Sequence, residues 1–233
     1  MQAKKLEVNA HIFSVSTTIL SNVKKGFSDI GIEVTDVYPT LLAGPEAVLS
    51  RRQKELGVVC IDIGSSTTWV TVYEEGVLRH AAVIPVWGEY VTSDIALGAR
   101  VSIDLAERLK VDYVDLTFCD QSKPRDEEIL LSKYDKKEEE KVSKMYLSQI
   151  AQARYKEILH MINQELKLIG KDGMLPEWAV FIWGGSKARN LIELAKNDLR
   201  LPCSIGLPED HEFITGTSVS DPTYAWAVGT LLL

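Results

Sequence analysis

The pattern of apolar and polar positions divides the chain into short apolar runs and longer segments with helical spacing. The most apolar run, residues 58–61, predicts a strand buried on both faces. A turn of small and polar residues separates it from a β-rich run at 67–73, and a second tight turn leads into a third run at 77–86. Three successive strands joined by tight turns predict an antiparallel meander. Two later apolar runs, at 178–183 and near 203–205, predict further strands.

The first 53 residues follow a different pattern. Residues 6–15 alternate in polarity, which predicts a strand, and residues 32–38 predict a second one. Between them, over residues 16–31, apolar positions recur at helical spacing and predict a helix. A further helix is predicted over residues 41–53. This strand–helix–strand unit and its connecting helix are too small to form a stable domain alone.

Helical spacing also predicts most of the elements between and after the later strands. Helices are predicted over residues 90–99, 103–110 and 143–169, the last with a long apolar stripe. Two shorter helices are predicted to begin near Lys187 and after Asp221, where a proline follows the capping residue.

Composition narrows the classes of protein to consider. The chain has 233 residues, 45% of them hydrophobic, so it can bury a substantial core. The formal net charge of -7 disfavours a nucleic-acid partner, because phosphate backbones require clustered Lys and Arg. Residues 120–144 are rich in Lys, Glu and Asp and predict a solvated segment. The three cysteines lack metal-ligand or redox spacing, and no apolar run has membrane-spanning length, so we expect a soluble, cytoplasmic protein.

Candidate chemistry begins at the turn after the first buried strand. A small-residue turn between two strands leaves several backbone N–H groups pointing one way, which forms a concavity suited to phosphate. Four hydroxyl groups add donors, and the carboxylate at the end of the strand could hold Mg²⁺ through its waters. The alternative is an ordinary hairpin with a polar tip. The candidate residues are Asp62, Gly64, Ser65, Ser66, Thr67 and Thr68, with Asp62 as the magnesium-holding group.

Two further motifs point in the same direction, and each also has a structural interpretation. Glu107 and Lys110 lie one turn apart on one helix face, although such a pair is usually a solvated ion pair. Gly184, Gly185 and Ser186 follow a predicted strand and precede a predicted helix. Glycines let a ligand approach the backbone, and the free N–H groups of a helix start can face a phosphate.

In this fixed order, the three motifs resemble the nucleotide-binding half of the actin/Hsp70 ATPase superfamily. The resemblance implies that the first motif holds the phosphates and the metal, that Glu107 and Lys110 reach the ribose and base, and that Gly184, Gly185 and Ser186 lie along the adenosine. It implies an α/β fold with an α+β mixed sheet, the actin-like ATPase fold. It also implies ATP and Mg²⁺ as ligands, bound weakly by this chain alone.

Within that superfamily the chain is most similar to the bacterial cell-division family FtsA. The likeness rests on the runs 55–64, 78–86, 91–96 and 106–110, and it extends more loosely from residues 11–12 to residues 221–229, which is nearly the whole chain. Pilus-assembly proteins related to actin (PilM-like) and Hsp70 chaperones share the motifs but not the second and third of these runs.

The resemblance implies a C-terminal portion of an FtsA-like protein, without the family's first phosphate motif and membrane-binding tail. Residues 1–53 would be a remnant of the family's inserted subdomain with a connecting helix, and residues 54–233 an actin-like second domain. Within that domain, residues 54–95 and 176–233 would form the nucleotide-binding core, and residues 96–175 the smaller lobe.

Some positions depart from the family pattern. Ser65 and Ser66 stand where the family has glycines, and side chains there can crowd the phosphates. Trp69 stands where the family usually has an aspartate, which removes a carboxylate from the site. Trp87 replaces a small residue.

Two classes of function follow from the resemblance. The first is an FtsA-like adaptor that binds nucleotide, docks the C-terminal tail of the tubulin-like protein FtsZ on its smaller lobe, and self-associates into actin-like filaments. It would act in the cytoplasm at the division septum. The alternative is an actin-like or Hsp70-type ATPase or a pilus-assembly ATP-binding protein, with at most weak ATPase activity in this chain. With an acidic net charge and no basic amphipathic helix, direct binding to membranes or nucleic acid is not expected.

Overall fold

The computed structural model describes residues 7–8, 10–86, 88–117, 127–134, 140–209 and 219–233. The chain separates into two compact units, one up to residue 39 and one from residue 40 onward. Trp87, one of the departures from the family pattern, lies outside the described residues, as does part of the charged segment 120–144.

The first unit contains one regular element among its described residues, helix α1 (Thr17–Asp29). Its end is formed by Gly31, whose φ of 78° lets the chain turn back so that the amide of Ile32 donates to the carbonyl of Phe27. The helix predicted over residues 16–31 is therefore confirmed. The strands predicted at 6–15 and 32–38 are wrong, because the described residues of both segments are irregular. A strand needs a partner for its backbone groups, and neither segment has one among the described residues of this unit.

The second unit is built on a five-stranded mixed sheet. Its strands are β1 (Val58–Ile63), β2 (Thr68–Glu74), β3 (Val77–Ile84), β6 (Ala179–Ile182) and β7 (Cys203–Ile205), and their order across the sheet is β3-β2-β1-β6-β7. The first three pair antiparallel, as the predicted meander requires, whereas β6 runs parallel to β1 and β7 parallel to β6. All six residues of β1 are buried, in agreement with a central strand covered on both faces.

The helix predicted over residues 41–53 is two helices, α2 (Thr40–Val48) and α3 (Arg51–Leu56). The break occurs because Ser50 and Gln53 form a capping box, in which the Ser50 hydroxyl accepts from the Gln53 amide and the Gln53 side chain accepts from the Ser50 amide. Helix α2 belongs to the second unit, which begins at residue 40. The boundary at residue 53 refers to the family's subdomains and stays a prediction.

The remaining elements cover the sheet and extend beyond it. They are α4 (Gly88–Ala99), α5 (Ile103–Tyr113), a small hairpin of β4 (Glu128–Leu130) and β5 (Lys141–Ser143), α6 (Lys144–Leu168), α7 (Leu191–Leu199) and α8 (Ala225–Leu232). Ser102 and Ser143 cap α5 and α6 by accepting bonds from backbone amides. Among the described residues, no helix is both long and apolar enough to cross a membrane.

The two faces of the sheet carry separate hydrophobic clusters. Alternate residues of β1 such as Val59 and Ile61 pack toward helices α4 to α7, whereas Val58 and Cys60 pack toward α2 and α8. Helices α2 and α8 meet closely at Gly229, where an added Cβ would overlap the backbone of Ala43. The result is an α/β fold with a mixed sheet between two helical layers, as the resemblance implied.

Candidate functional site

A large cavity opens where the turns after β1 and β6 meet helices α4 and α5. Because β1 and β6 are parallel neighbours, with Asp62 opposite Ile182, the turns that follow them lie at the same edge of the sheet. The cavity has a volume of about 800 Å³. Six of the eleven predicted site residues line it: Gly64, Ser65, Glu107, Lys110, Gly184 and Gly185.

The turn after β1 is closed by its own backbone. The amide of Gly64 donates to the carbonyl of Thr67 over 2.9 Å, and the amide of Gly88 donates to the carbonyl of Gly64 over 3.0 Å. A Cβ on Gly64 would lie 2.9 Å from the Thr67 oxygen, so only glycine fits this turn without a shift. The turn therefore presents Ser65 to the cavity and fixes the start of α4 beside it.

The other hydroxyl residues of this turn serve its structure. Thr68 is buried and donates to the carbonyl of Val86 over 2.7 Å. The Thr67 hydroxyl accepts from the indole nitrogen of Trp69 over 3.1 Å. Ser66 is exposed, and it lies outside the cavity lining together with Thr67 and Thr68. Their proposed contact with phosphate remains a prediction.

Glu107 and Lys110 form one wall of the cavity together with Thr92, which is not among the predicted site residues. The Lys110 ammonium donates to the Glu107 carboxylate over 2.6 Å and to the Thr92 hydroxyl over 2.8 Å. The Thr92 hydroxyl in turn donates to Glu107 over 2.5 Å. Partial burial alone would raise the pKa of Glu107, but the hydrogen bonds from Lys110 and Thr92 and the charge of Lys110 outweigh it and lower the pKa. The three residues form a hydrogen-bonded cluster that contains an ion pair, Glu107 and Lys110, beside the cavity.

The turn after β6 is a short 3-10 helix, Gly184–Lys187. Helix α7 begins at Leu191, so the prediction of a helix start near Lys187 is wrong. The chain leaves the turn at Ala188 in an extended conformation and passes through a left-handed residue, Asn190 (φ 62°), before α7. The glycine pair therefore faces the cavity from a tight turn and not from the first turn of an α-helix.

The two glycines of this turn differ in their surroundings. A Cβ on Gly185 would lie 2.7 Å from the carbonyl oxygen of Ile63 and closer still to its side chain, whereas a Cβ on Gly184 would meet nothing within 4 Å. Ser186 is buried, and its hydroxyl donates to the carbonyl of Trp183 over 2.6 Å, so it supports the turn without lining the cavity. Gly184 thus gives a ligand room to approach the backbone.

Asp62 lies apart from the cavity. The residue is 5% exposed, and its Oδ2 accepts a hydrogen bond from the indole nitrogen of Trp226 on α8. Oδ1 accepts no hydrogen bond within the described part of the chain. Burial raises the pKa of Asp62 to about 7, and the hydrogen bond from Trp226 opposes this shift without cancelling it.

This environment does not fit the predicted magnesium ion. Magnesium prefers ionised carboxylates and retains several waters in octahedral geometry, whereas Asp62 is enclosed and holds an indole N–H. Among the described residues, no three His, Cys, Asp or Glu side chains are grouped so that they could hold a metal ion. We therefore derive no chemistry through a metal at this carboxylate.

Several charged residues near the cavity were not predicted. Lys187 lines it and donates to Asp221 over 2.7 Å. This hydrogen bond, with those from Thr223, lowers the pKa of Asp221 to about 2. Arg189 also lines the cavity, and its carbonyl accepts from the amide of Leu116, which ties the end of α5 to the segment before α7.

Two of the unpredicted residues had a signal in the sequence. Thr92 is a polar residue on the apolar face of α4, where Val91 and Ile95 are fully buried. Tyr155 interrupts the aliphatic stripe of α6, and its hydroxyl donates to the carbonyl of Gly185 over 3.0 Å. A polar group on a buried helix face usually has a hydrogen-bond partner, and here that partner lies at the cavity.

Comparison with known proteins places this geometry in a family. The family model for cell division protein FtsA matches residues 59–229, which include both turns and the Glu107–Lys110 pair. FtsA of Pseudomonas aeruginosa is 31% identical over 234 residues, which is 100% of this chain and 55% of that protein. FtsA of Bacillus subtilis is 32% identical over 231 residues, 99% of this chain and 50% of that protein. The chain therefore spans about half the length of these relatives.

Solved structures agree on the fold. MreB5 of Spiroplasma citri bound to ADP matches with a TM-score of 0.70 and 18% identity, over 94% of this chain and 65% of that chain. The PilM-PilN type IV pilus biogenesis complex matches with a TM-score of 0.67 and 16% identity, over 91% of this chain and 56% of the other. The chain has the actin-like ATPase fold, which confirms the predicted fold class.

Proposed function

The chain belongs to the FtsA family of cell-division proteins, and from that premise we propose that it is an adaptor module that binds an adenine nucleotide in the cavity described above. The proposal is carried by one observation: Glu107 and Lys110 face the glycine turn at Gly184 across a single cavity inside the matched region. ADP is bound in the related fold of MreB5, which supports a nucleotide as the ligand here. The expected ATP belongs to this proposal as the finer assignment. The magnesium ion predicted at Asp62 does not, because that carboxylate does not fit it.

The volume and chemistry of the cavity suit a nucleoside. A cavity of about 800 Å³ is within the range of small-molecule sites. Ile103, Val111 and Val114 give apolar surface for a base, and the Glu107 carboxylate and Lys110 ammonium can bond the hydroxyl groups of a ribose. The exposed Gly184 lets a ligand approach the backbone of the second turn.

Titration calorimetry with ADP tests this assignment. We expect binding by the chain and a loss of about tenfold in affinity for Glu107→Ala, equivalent to about 1.4 kcal/mol. The matched control is Glu193→Ala, because Glu193 and Lys196 form another i,i+3 pair on a helix that does not line the cavity. Equal affinities for the two variants, or no binding of ADP, would contradict the proposal.

The partners follow from the family and belong to the same proposal. We infer that the smaller lobe, residues 96–175, docks the C-terminal tail of FtsZ, that copies of the chain self-associate, and that the protein acts at the division site. A peptide of the FtsZ tail from the same organism should bind weakly and saturably. A titration that shows no saturation up to millimolar peptide would count against the adaptor role.

The alternative of an Hsp70-type ATPase or a PilM-like protein has weaker support. The PilM-PilN complex resembles the chain in fold at 16% identity, whereas FtsA of Pseudomonas aeruginosa matches it at 31%. A phosphate-release assay on the same sample separates the classes, because an adaptor is expected to show no turnover above a no-protein control.

A further inference from the structure

Two stacked indoles connect the wall of the cavity to the carboxylate of Asp62. Trp183 lines the cavity, and its ring lies parallel to that of Trp226, with centroids 4.0 Å apart and an interplanar angle of 11°. Trp226 then donates its indole N–H to Oδ2 of Asp62. The contacts therefore run from the cavity wall through Trp183 and Trp226 to a buried carboxylate.

The stack is held from both sides. Trp183 has a φ of 70°, a conformation that is strained for a non-glycine residue, and hydrogen bonds maintain it. Its carbonyl accepts from the Ser186 hydroxyl over 2.6 Å, and its amide donates to the carbonyl of Pro222 over 3.1 Å. On the other side, a Cβ on Gly44 would lie 3.3 Å from the Trp226 ring, so α2 packs closely against the indole. A displacement of the stack would disturb the turn and two helices.

The cavity itself has little excess positive charge for a polyphosphate. Among the described residues, three acidic and three basic side chains line it: Glu89, Asp104, Glu107, Lys110, Lys187 and Arg189. Two of the cations already have acidic partners, since Lys110 bonds Glu107 and Lys187 bonds Asp221. Each additional phosphate of a ligand adds negative charge that this lining does not neutralise.

We propose that the Trp183–Trp226 stack excludes divalent cations from Asp62, and that the cavity takes an adenine nucleoside or a nucleotide of few phosphates in its metal-free form. The first half rests on the stack alone, and the second half rests on the proposed nucleotide function. In this arrangement the indole N–H of Trp226 occupies Oδ2 of Asp62, and Oδ1, which accepts no hydrogen bond within the described part of the chain, is buried and does not line the cavity.

Manganese binding to the nucleotide-free chain tests the first half, with Mn²⁺ as a paramagnetic substitute for Mg²⁺ detected by electron paramagnetic resonance. Wild type and Asp62→Asn should bind the same amount of Mn²⁺, because Asp62 holds none. Loss of a bound ion in Asp62→Asn would overturn the exclusion. The double variant Trp183→Leu/Trp226→Leu, checked for folding by circular dichroism, should gain a site that Asp62→Asn removes again. A folded double variant without that gain would also count against the role of the stack.

Calorimetry with ADP and ATP, in excess Mg²⁺ and in EDTA, tests the second half. The affinity for ADP should change by less than about twofold between the two buffers, and ATP should bind no more tightly than ADP. A loss of more than about tenfold in EDTA would overturn the metal-free assignment. Absence of nucleotide binding in both buffers would refute the proposed function and this second half with it, while the manganese comparison still decides whether the stack excludes the metal.

Discussion

The hydroxyl of Tyr155 donates a hydrogen bond to the carbonyl of Gly185 over 3.0 Å, which connects the middle of helix α6 to the glycine turn after β6. Tyr155 is almost fully buried, and burial raises the pKa of its phenol, so the hydroxyl remains a donor throughout the neutral pH range. The position of the turn therefore depends on a helix within residues 96–175, the predicted smaller lobe. This contact links the lobe proposed for partner binding to the cavity proposed for nucleotide.

Replacing this hydroxyl should affect both stability and binding. Tyr155→Phe keeps the ring and leaves the Gly185 carbonyl without its side-chain donor, so we expect a loss of about 1 kcal/mol in the free energy of unfolding. The affinity for ADP should fall with it, because the turn becomes less ordered. Urea unfolding and calorimetry measure the two effects. The control is Tyr146→Phe, on the same helix at a residue that is 45% exposed. An equal loss in this variant would show that the hydrogen bond to Gly185 does not account for the effect.

The Thr92 hydroxyl should matter for binding more than for folding. Thr92→Val preserves the shape of the side chain and removes the group that bridges Glu107 and Lys110. The remaining ion pair can then rotate out of place, so we expect the affinity for ADP to fall about tenfold, or about 1.4 kcal/mol. Ser93→Ala, the next residue on α4, is the control and should leave the affinity unchanged. Unchanged binding by Thr92→Val would show that the cluster does not contact the ligand.

The elements that could be predicted from the sequence are those whose signals are local. The three-stranded meander was predicted because its buried runs and tight turns occur within residues 58–86. Helices α5 and α6 could be predicted because apolar positions recur at helical spacing over residues 103–110 and 143–169. The alternation of residues 6–15 was misleading, and so was the strand prediction at 32–38, because a strand also requires a partner.

The candidate site could be predicted only in part, for the same reason. Glu107, Lys110 and the glycine pair are recognisable within a few residues, and the structure brings them to one cavity. The environment of Asp62 depends on Trp226, which lies 164 residues further along the chain. No local pattern could show that an indole would reach the carboxylate expected to hold the metal.

The adjacent glycines of the second turn should respond differently to the same change. Gly185→Ala places a methyl group against Ile63, backbone and side chain, and should cost about 1–3 kcal/mol of stability. Gly184→Ala meets no atom within 4 Å and should leave the stability unchanged within about 0.5 kcal/mol. Because Gly184 lines the cavity, its variant should still weaken ADP binding. Thermal unfolding and calorimetry of both variants provide the comparison, and equal stabilities would contradict the packing argument.

The buried carboxyl of Asp62 should make stability depend on pH. Burial raises its pKa in the folded chain to about 7, against an ordinary value of 3.8. Between these two values the folded state holds a proton that the unfolded state has released. The carboxyl therefore favours folding most strongly below about pH 4, and this contribution is lost as the pH rises toward 7.

Asp62→Asn isolates this dependence. An amide has the size of the protonated carboxyl, retains an oxygen to accept the Trp226 N–H, and does not titrate, so the variant should lack the decrease in stability. The difference in unfolding free energy between wild type and Asp62→Asn should change by at most about 1.4 kcal/mol per pH unit between about pH 5 and 7, with the variant becoming relatively more stable. Asp221→Asn should show a pH dependence of the opposite sign. Hydrogen bonds from Lys187 and Thr223 lower the pKa of Asp221 to about 2. The stability that the ionised Asp221 carboxylate contributes is therefore lost only as the pH falls below about 4. Urea unfolding at several pH values measures the free energy of unfolding of all three proteins. If the difference in this free energy between wild type and Asp62→Asn were independent of pH, Asp62 would already be ionised beside the indole.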